Sequence, residues 1–340
     1  MIYLLLVLYF IFTYFFNEYV QKKNLLKSNT GLNHQLFVND SVPLSGGIIL
    51  IFPFILILNF SSPVFVLACL SLFILGILSD LSILNKAKLR FFLQLVIVTI
   101  FVFFTELQVL PTRITFIDEN LDSSILSLFF TIFCILILIN GSNFIDGLNG
   151  LFIGYIISIL IIIFKFDLYS ELNQLNYFKE IKLIYCIIIL IFLFILNLKN
   201  KLFLGDSGAY SLSFIIGVIL IKVNNLNSNI SPYFIILLLW YPCFENLFSI
   251  IRKYLSKKNP LQPDNFHLHH LLFIYFNKSL KLNRIISNNL SGITINIFNF
   301  IIFVIGSINM NLTILQLTLI SFCILIYLLI FYSLRRLIQK

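Results

Sequence analysis

Charge is what this sequence has least of. Of its 340 residues only 11% are Asp, Glu, Lys or Arg, whereas 60% are apolar, and the mean hydropathy is +1.02. A soluble domain carries about 25% charged and about 45–50% apolar residues. So little polar surface cannot cover a globule, so a soluble fold is excluded, and the apolar content excludes disorder. Cysteine is sparse as well. Cys69, Cys134, Cys186, Cys243 and Cys323 each lie alone in an apolar run, without metal-ligand spacing, and read as small buried hydrophobes rather than disulfide partners. No internal repeat and no second soluble domain interrupts the chain, which reads as one integral membrane domain over 1–340. No basic residue precedes the apolar run Met1–Phe16 and no small-residue cleavage site closes it, so a retained first span is expected rather than a signal peptide.

What is present is a series of apolar runs. A helix needs about 20 residues to cross the hydrocarbon, and eleven segments qualify as candidates: 1–17, 44–60, 62–79, 89–105, 124–140, 148–164, 182–198, 208–223, 232–251, 292–309 and 313–334. The runs are apolar all round, without the two-residue alternation of a membrane barrel. The predicted fold is therefore all-α and polytopic, with about 11 transmembrane helices. If the N-terminus is outside, the inner loops hold 18 of the 23 basic residues, and Arg113, Lys165, Lys179, Lys182 and Lys222 stay outside. The positive-inside rule favours that orientation, with the C-terminus in the cytoplasm. The net charge of +9 then faces anionic headgroups and needs no nucleic acid.

Five polar segments remain, and this topology puts all of them on the inner side: Pro43–Gly47, Gly76–Asp80, Asn140–Gly150, Phe203–Gly208 and Pro263–His270. Each has a structural alternative. Gly46 and Gly47 suit close helix packing, and Asp80 or Asp206 alone could be a solvated helix end. The Asn140–Gly150 stretch concentrates Asn, Asp and Gly in a chain poor in Asp and Gly, which suits close backbone approach to a ligand. Three of the four histidines fall in His267–His270, beside Arg252, Lys253, Lys257 and Lys258. No further Cys or His at zinc spacing accompanies them, and imidazoles among basic residues suit phosphate oxygens. Isolated carboxylates beside basic groups suit a hard cation such as Mg²⁺, with Mn²⁺ as an alternative, held partly by substrate phosphates. So apolar an enzyme would act on a lipid-borne co-substrate in the bilayer.

The segments Asn143–Leu151, Phe203–Gly208 and His267-Leu-His269-His270 resemble those of the polyprenyl-phosphate N-acetylhexosamine-1-phosphate transferases. The similarity runs from about Asn33 to His270 and includes Pro43–Gly47 and Lys88-Leu-Arg90, with Gln94 following; the last two spans, 292–334, add little beyond hydrophobicity. The resemblance implies a cytoplasmic-face groove in the bacterial inner membrane. There a sugar-1-phosphate would pass from a UDP-sugar to undecaprenyl phosphate, releasing UMP, with Mg²⁺. It implies catalytic roles for Asp80, Asp146, His267, His269 and His270. Asn143, Asn149, Lys88, Arg90, Gly46 and Gly47 would touch substrate, and Asp206 with Asn143 would meet the metal. A homodimer stays open.

The chain departs from the family pattern in three places. Ser79-Asp80 stands where the family usually has Asp-Asp, so a base or nucleophile at position 79 is disfavoured and direct attack by the lipid phosphate is simpler. Asn149 stands where Asp is frequent, and no Arg-Lys pair precedes His34. The rival readings are a transporter or flippase, for which Glu245 is the main intramembrane charge, and a catalytically degenerate member of the family.

Overall fold

The computed structural model describes residues 2–23, 25–26, 42–58, 62–109, 112–121, 123–168, 183–257 and 266–339. The N-terminal limit of the motif-bearing region at Asn33, and Pro263–Asn265, lie outside them. In chain order the helices are α1 (Ile2–Lys22), α2 (Gly46–Leu58), α3 (Pro63–Asp80), α4 (Ala87–Thr105), α5 (Thr115–Leu121), α6 (Ser124–Ile145) and α7 (Leu151–Lys165). They continue with α8 (Leu183–Leu198), α9 (Gly205–Leu226), α10 (Pro232–Leu255), α11 (Leu268–Ile274), α12 (Arg284–Ile308) and α13 (Thr313–Gln339), and a π-helical turn, Tyr275–Ser279, follows α11. No sheet forms among the described residues.

Each of the eleven predicted spans overlaps one helix; α5 and α11 are additional short helices. Among the described residues, seven helices are long and apolar enough to cross a membrane: α3, α4, α6, α9, α10, α12 and α13. The chain is thus a polytopic helical membrane protein. The apolar helices α7 and α8 have only 15 and 16 residues, about 22–24 Å at 1.5 Å per residue. Predicted boundaries also moved. Helix α6 runs on to Ile145, so Asn143 is helical, and α9 begins at Gly205, so Asp206 lies in its first turn. The histidine segment, expected as loop, enters α11.

Helix starts follow local chemistry. Ser62-Pro63 and Ser231-Pro232 open α3 and α10, with the serine oxygens accepting from Phe65 N and Tyr233 N. Asn283 caps α12 by accepting from Ile286 N at 2.8 Å. Pro242, inside α10, cannot donate to the Leu238 carbonyl four residues back. The buried Tyr155 hydroxyl donates to that carbonyl at 2.9 Å instead, so the proline leaves no open acceptor in the interior. Helix α9 is enclosed by α2, α3, α6 and α10, whereas α1, α4 and α13 turn large apolar side chains such as Phe12, Phe104 and Ile314 outward, as a lipid-facing surface requires.

The two ends of the bundle sort the loops as the charge arithmetic does. At one end Arg113 donates to the Ser228, Asn229, Ile230 and Asn311 carbonyls and to Thr313 Oγ1, joining three segments predicted to be outside. At the other end the described parts of the five polar segments meet.

Candidate active site

The site is built on the N-terminus of α9. Gly205 has φ +76°, a left-handed conformation that glycine adopts without strain, and it turns the chain into the helix. Leu204, at the cap position, offers no side-chain oxygen. The cap comes from α3: Asp80 Oδ1 accepts from Asp206 N at 2.8 Å and Oδ2 from Ser207 N at 3.1 Å. Asp80 therefore commits both oxygens to holding Asp206 in place. The approach is close because Gly76, one turn back on α3, lies directly against Ser207; a Cβ there would sit 2.2 Å from Ser207 Cα.

Three groups surround Asp206 Oδ2. Arg90 Nη1, from α4, donates to it at 2.8 Å, the Tyr210 hydroxyl donates at 3.1 Å, and the Ser79 hydroxyl donates as well. Arg90 Nη1 also reaches Ser79 Oγ. Ser79 thus fills the departure from the family's paired aspartates with a neutral donor to Asp206.

Asp146 caps the C-terminal end of α6 and accepts from the Gly205 backbone N–H. Burial, reinforced by the charges of Asp206 and Asp80, pushes its carboxyl well above the usual range, against the lowering effect of that N–H. Asn143 lies three residues before Asp146, on the same face of α6, and is half-buried. Next to Asp146, Gly147 packs against the histidines: a Cβ on it would lie 3.3 Å from His270 Nε2 and 3.6 Å from His269 Nε2. The three imidazoles form one cluster, with His269 and His270 centroids 4.3 Å apart and His267 5.5 Å from each. Phe144 leans on His267 at 5.3 Å.

The structure thus brings together Asp80, Asp146, Asp206, Arg90 and the three histidines. Other predicted residues are engaged elsewhere. Lys88 is exposed. Gly46 N and Gly47 N donate to the Phe203 and Leu204 carbonyls, each at 2.9 Å, so both glycines seat α2 against the segment that leads into α9. Asn149 is buried in an asparagine network. Its side-chain amide donates to Asn200 and Asn289, its backbone N–H to Asn288, and the next N–H, of Gly150, to Asn197. Tyr210 and the α12 asparagines carried no motif signal; only their place one turn into α9 and at the head of α12 marks them.

The donor set suits a hard divalent cation. Arg90 pairs with Asp206, and Asp80 and Asp146 lie close enough to Asp206 for the three carboxylates to act on one another. Among the described residues no three His, Cys, Asp or Glu side chains form a self-sufficient metal site.

Fold and site define a multi-pass helical membrane protein with an acidic and imidazole-rich cluster at one end of its bundle. The family model described as glycosyl transferase family 4 matches residues 62–224. The chain is 31% identical over 206 residues to the probable undecaprenyl-phosphate N-acetylglucosaminyl 1-phosphate transferase of Bacillus subtilis, covering 59% of this chain and 55% of that protein. It is 30% identical over 234 residues to the undecaprenyl-phosphate alpha-N-acetylglucosaminyl 1-phosphate transferase of Thermotoga maritima, covering 68% of each. The decaprenyl-phosphate N-acetylglucosaminephosphotransferase of Mycolicibacterium smegmatis matches at 27% over 175 residues, 46% of this chain and 42% of the relative. The chain belongs to glycosyl transferase family 4.

Proposed function

We propose that the protein transfers an N-acetylhexosamine-1-phosphate, or a derivative of it, from a UDP-sugar to undecaprenyl phosphate. The reaction would open the synthesis of a bacterial surface glycan such as O-antigen, capsule or teichoic acid, at the cytoplasmic face of the inner membrane. The carrying observation is the meeting of Asp80, Asp146, Asp206, Arg90 and the three imidazoles at one end of the bundle, from segments far apart in sequence. An oxygen of the lipid phosphate forms a bond to the β-phosphorus of the UDP-sugar. The bond from that phosphorus to the bridging oxygen breaks, and UMP leaves with the electron pair. The nucleophile needs no protein base, because a phosphate monoester with a second pKa of about 6 is largely ionised at neutral pH.

Mg²⁺ would neutralise the pyrophosphate and the departing UMP, with Asp206, Asp146 and Asn143 as the residues that suit it. Arg90 serves on both sides. Nη1 orients Asp206, and the rest of the guanidinium fork is suited to phosphate oxygens. His269 and His270 donate to the donor sugar's phosphates and exclude water from them. Asp80 acts by fixing Asp206 rather than by touching substrate. Glu245, the charge that would favour a transporter, is engaged by His267 and Tyr327.

Purified protein, undecaprenyl phosphate and a panel of UDP-sugars, followed by UMP release with and without Mg²⁺, test the reading. Release that needs both the lipid and the cation is expected. No lipid-dependent UMP from any donor would overturn it.

A further inference from the structure

We propose that the last helix, α13, holds the histidine segment in register, with Tyr327 and Arg335 as positioning residues acting through Glu245 and Phe266. The proposal rests on the transferase reading for its kinetic consequence only. Glu245 lies in α10 and is fully buried. A carboxylate there has to be matched by donors, since an unpaired buried charge is strongly destabilising. It has two. His267 Nδ1 is 2.9 Å from Oε1, and the Tyr327 hydroxyl donates to Oε2 at 2.9 Å. One carboxylate thus bridges the first histidine of the site to a helix whose sequence shows little but hydrophobicity.

A second tie lies beside the first. The Phe266 ring has the Arg252 guanidinium 5.8 Å and the Arg335 guanidinium 5.9 Å from its centroid, and Arg252 also sits over Phe331 of α13. Tyr327 and Arg335 are eight residues apart, about 12 Å along the helix, so α13 grips two successive residues, Phe266 and His267, from two heights. His267 is the residue at which extended backbone becomes α11. Fixing it sets the phase of that helix, and with it the placement of His269 and His270 against Gly147. An ionised carboxylate only accepts, so the bond also places a proton on His267 Nδ1 and fixes the ring's orientation.

Tyr327→Phe tests this with little risk to folding. It keeps the ring packed among Phe244, Phe248 and Phe331 and removes only the hydroxyl. The expected result is a loss of about tenfold in kcat with KM for the UDP-sugar nearly unchanged. In a His267→Ala background the same substitution should cost less than about twofold. A side chain that matters only for stability would give equal losses in both backgrounds, and that result, or wild-type kcat in Tyr327→Phe, would overturn the proposal. A second arm needs no turnover. The chain has four histidines, so the ¹⁵N spectrum of histidine-labelled protein is simple. Tyr327→Phe should shift the His267 Nδ1 resonance, and an unchanged resonance refutes the relay. Wild-type protein without lipid-dependent UMP release would sink the transferase reading, and the spectrum would still decide the relay.

Discussion

Gly76→Ala tests the helix crossing on which the site depends. The added methyl would lie 2.2 Å from Ser207 Cα and 2.4 Å from Ser207 N, both backbone atoms that no rotamer change can move. Carbon atoms pack at about 3.5–4.0 Å, so α3 and α9 must separate by more than about 1 Å. The bonds from Asp206 N and Ser207 N to Asp80, at 2.8 and 3.1 Å, would then pass out of hydrogen-bonding range. Overpacking of this kind costs about 1–3 kcal/mol. A misplacement of about 1 Å at a reacting group costs on the order of a hundredfold in rate. Thermal unfolding in detergent and UMP release read the two effects separately. Gly217→Ala, on the same α9, is the control: its Cβ would meet only the Leu138 Cδ2 methyl, the far end of a flexible side chain, so activity should stay near wild type. A fully active and fully stable Gly76→Ala would refute the crossing, and with it the placement of Asp206 by Asp80.

Ser79→Asp would set a carboxylate against Asp206 while sharing Arg90 with it. Turnover at saturating Mg²⁺ should persist, and the Mg²⁺ concentration for half activity should fall several-fold; a collapse of activity would mean the loop has been rebuilt around serine. Asn149→Asp removes the amide that donates to Asn200 and Asn289 and turns acceptor toward acceptor. A loss of about 1–3 kcal/mol is expected in unfolding, and unchanged stability would dissolve the asparagine network. Asp146 has a folded pKa raised above its unfolded value, so its contribution is fully present below the unfolded carboxylate pKa and is lost as pH rises through the folded one. In cation-free buffer Asp146→Asn should therefore raise the melting temperature at neutral pH and leave it unchanged near pH 3; an equal gain at both would contradict the shift.

Much of the arrangement was legible because hydrophobic runs and basic loops are long-range averages. Every predicted span found a helix, and segments predicted on one side meet at one end of the bundle. Local boundaries were less legible. The predicted span stops at Asn140 and leaves Asn143 as loop, although α6 continues through it. Asp206 read as lying just before its helix, but Asp80, supplied from another helix, lets α9 start earlier. Long-range partners have no one-dimensional signature. Arg90 was recognised, but its grip on Asp206 and Ser79 appears only in three dimensions. The two C-terminal spans read as plain hydrophobe, yet Asn296 of α12 donates to the Gly150 carbonyl, and Tyr327 of α13 reaches Glu245. In each case one polar atom in an apolar helix carries the contact, too sparse a signal for composition or periodicity to register.

The most direct measurement is UMP formation by Asp206→Asn beside wild type, with purified protein, undecaprenyl phosphate and UDP-N-acetylglucosamine or whichever donor the panel selects. The account predicts lipid- and Mg²⁺-dependent UMP from wild type and its near-complete loss in the variant, with the melting temperature little changed. Equal turnover by both proteins would contradict it.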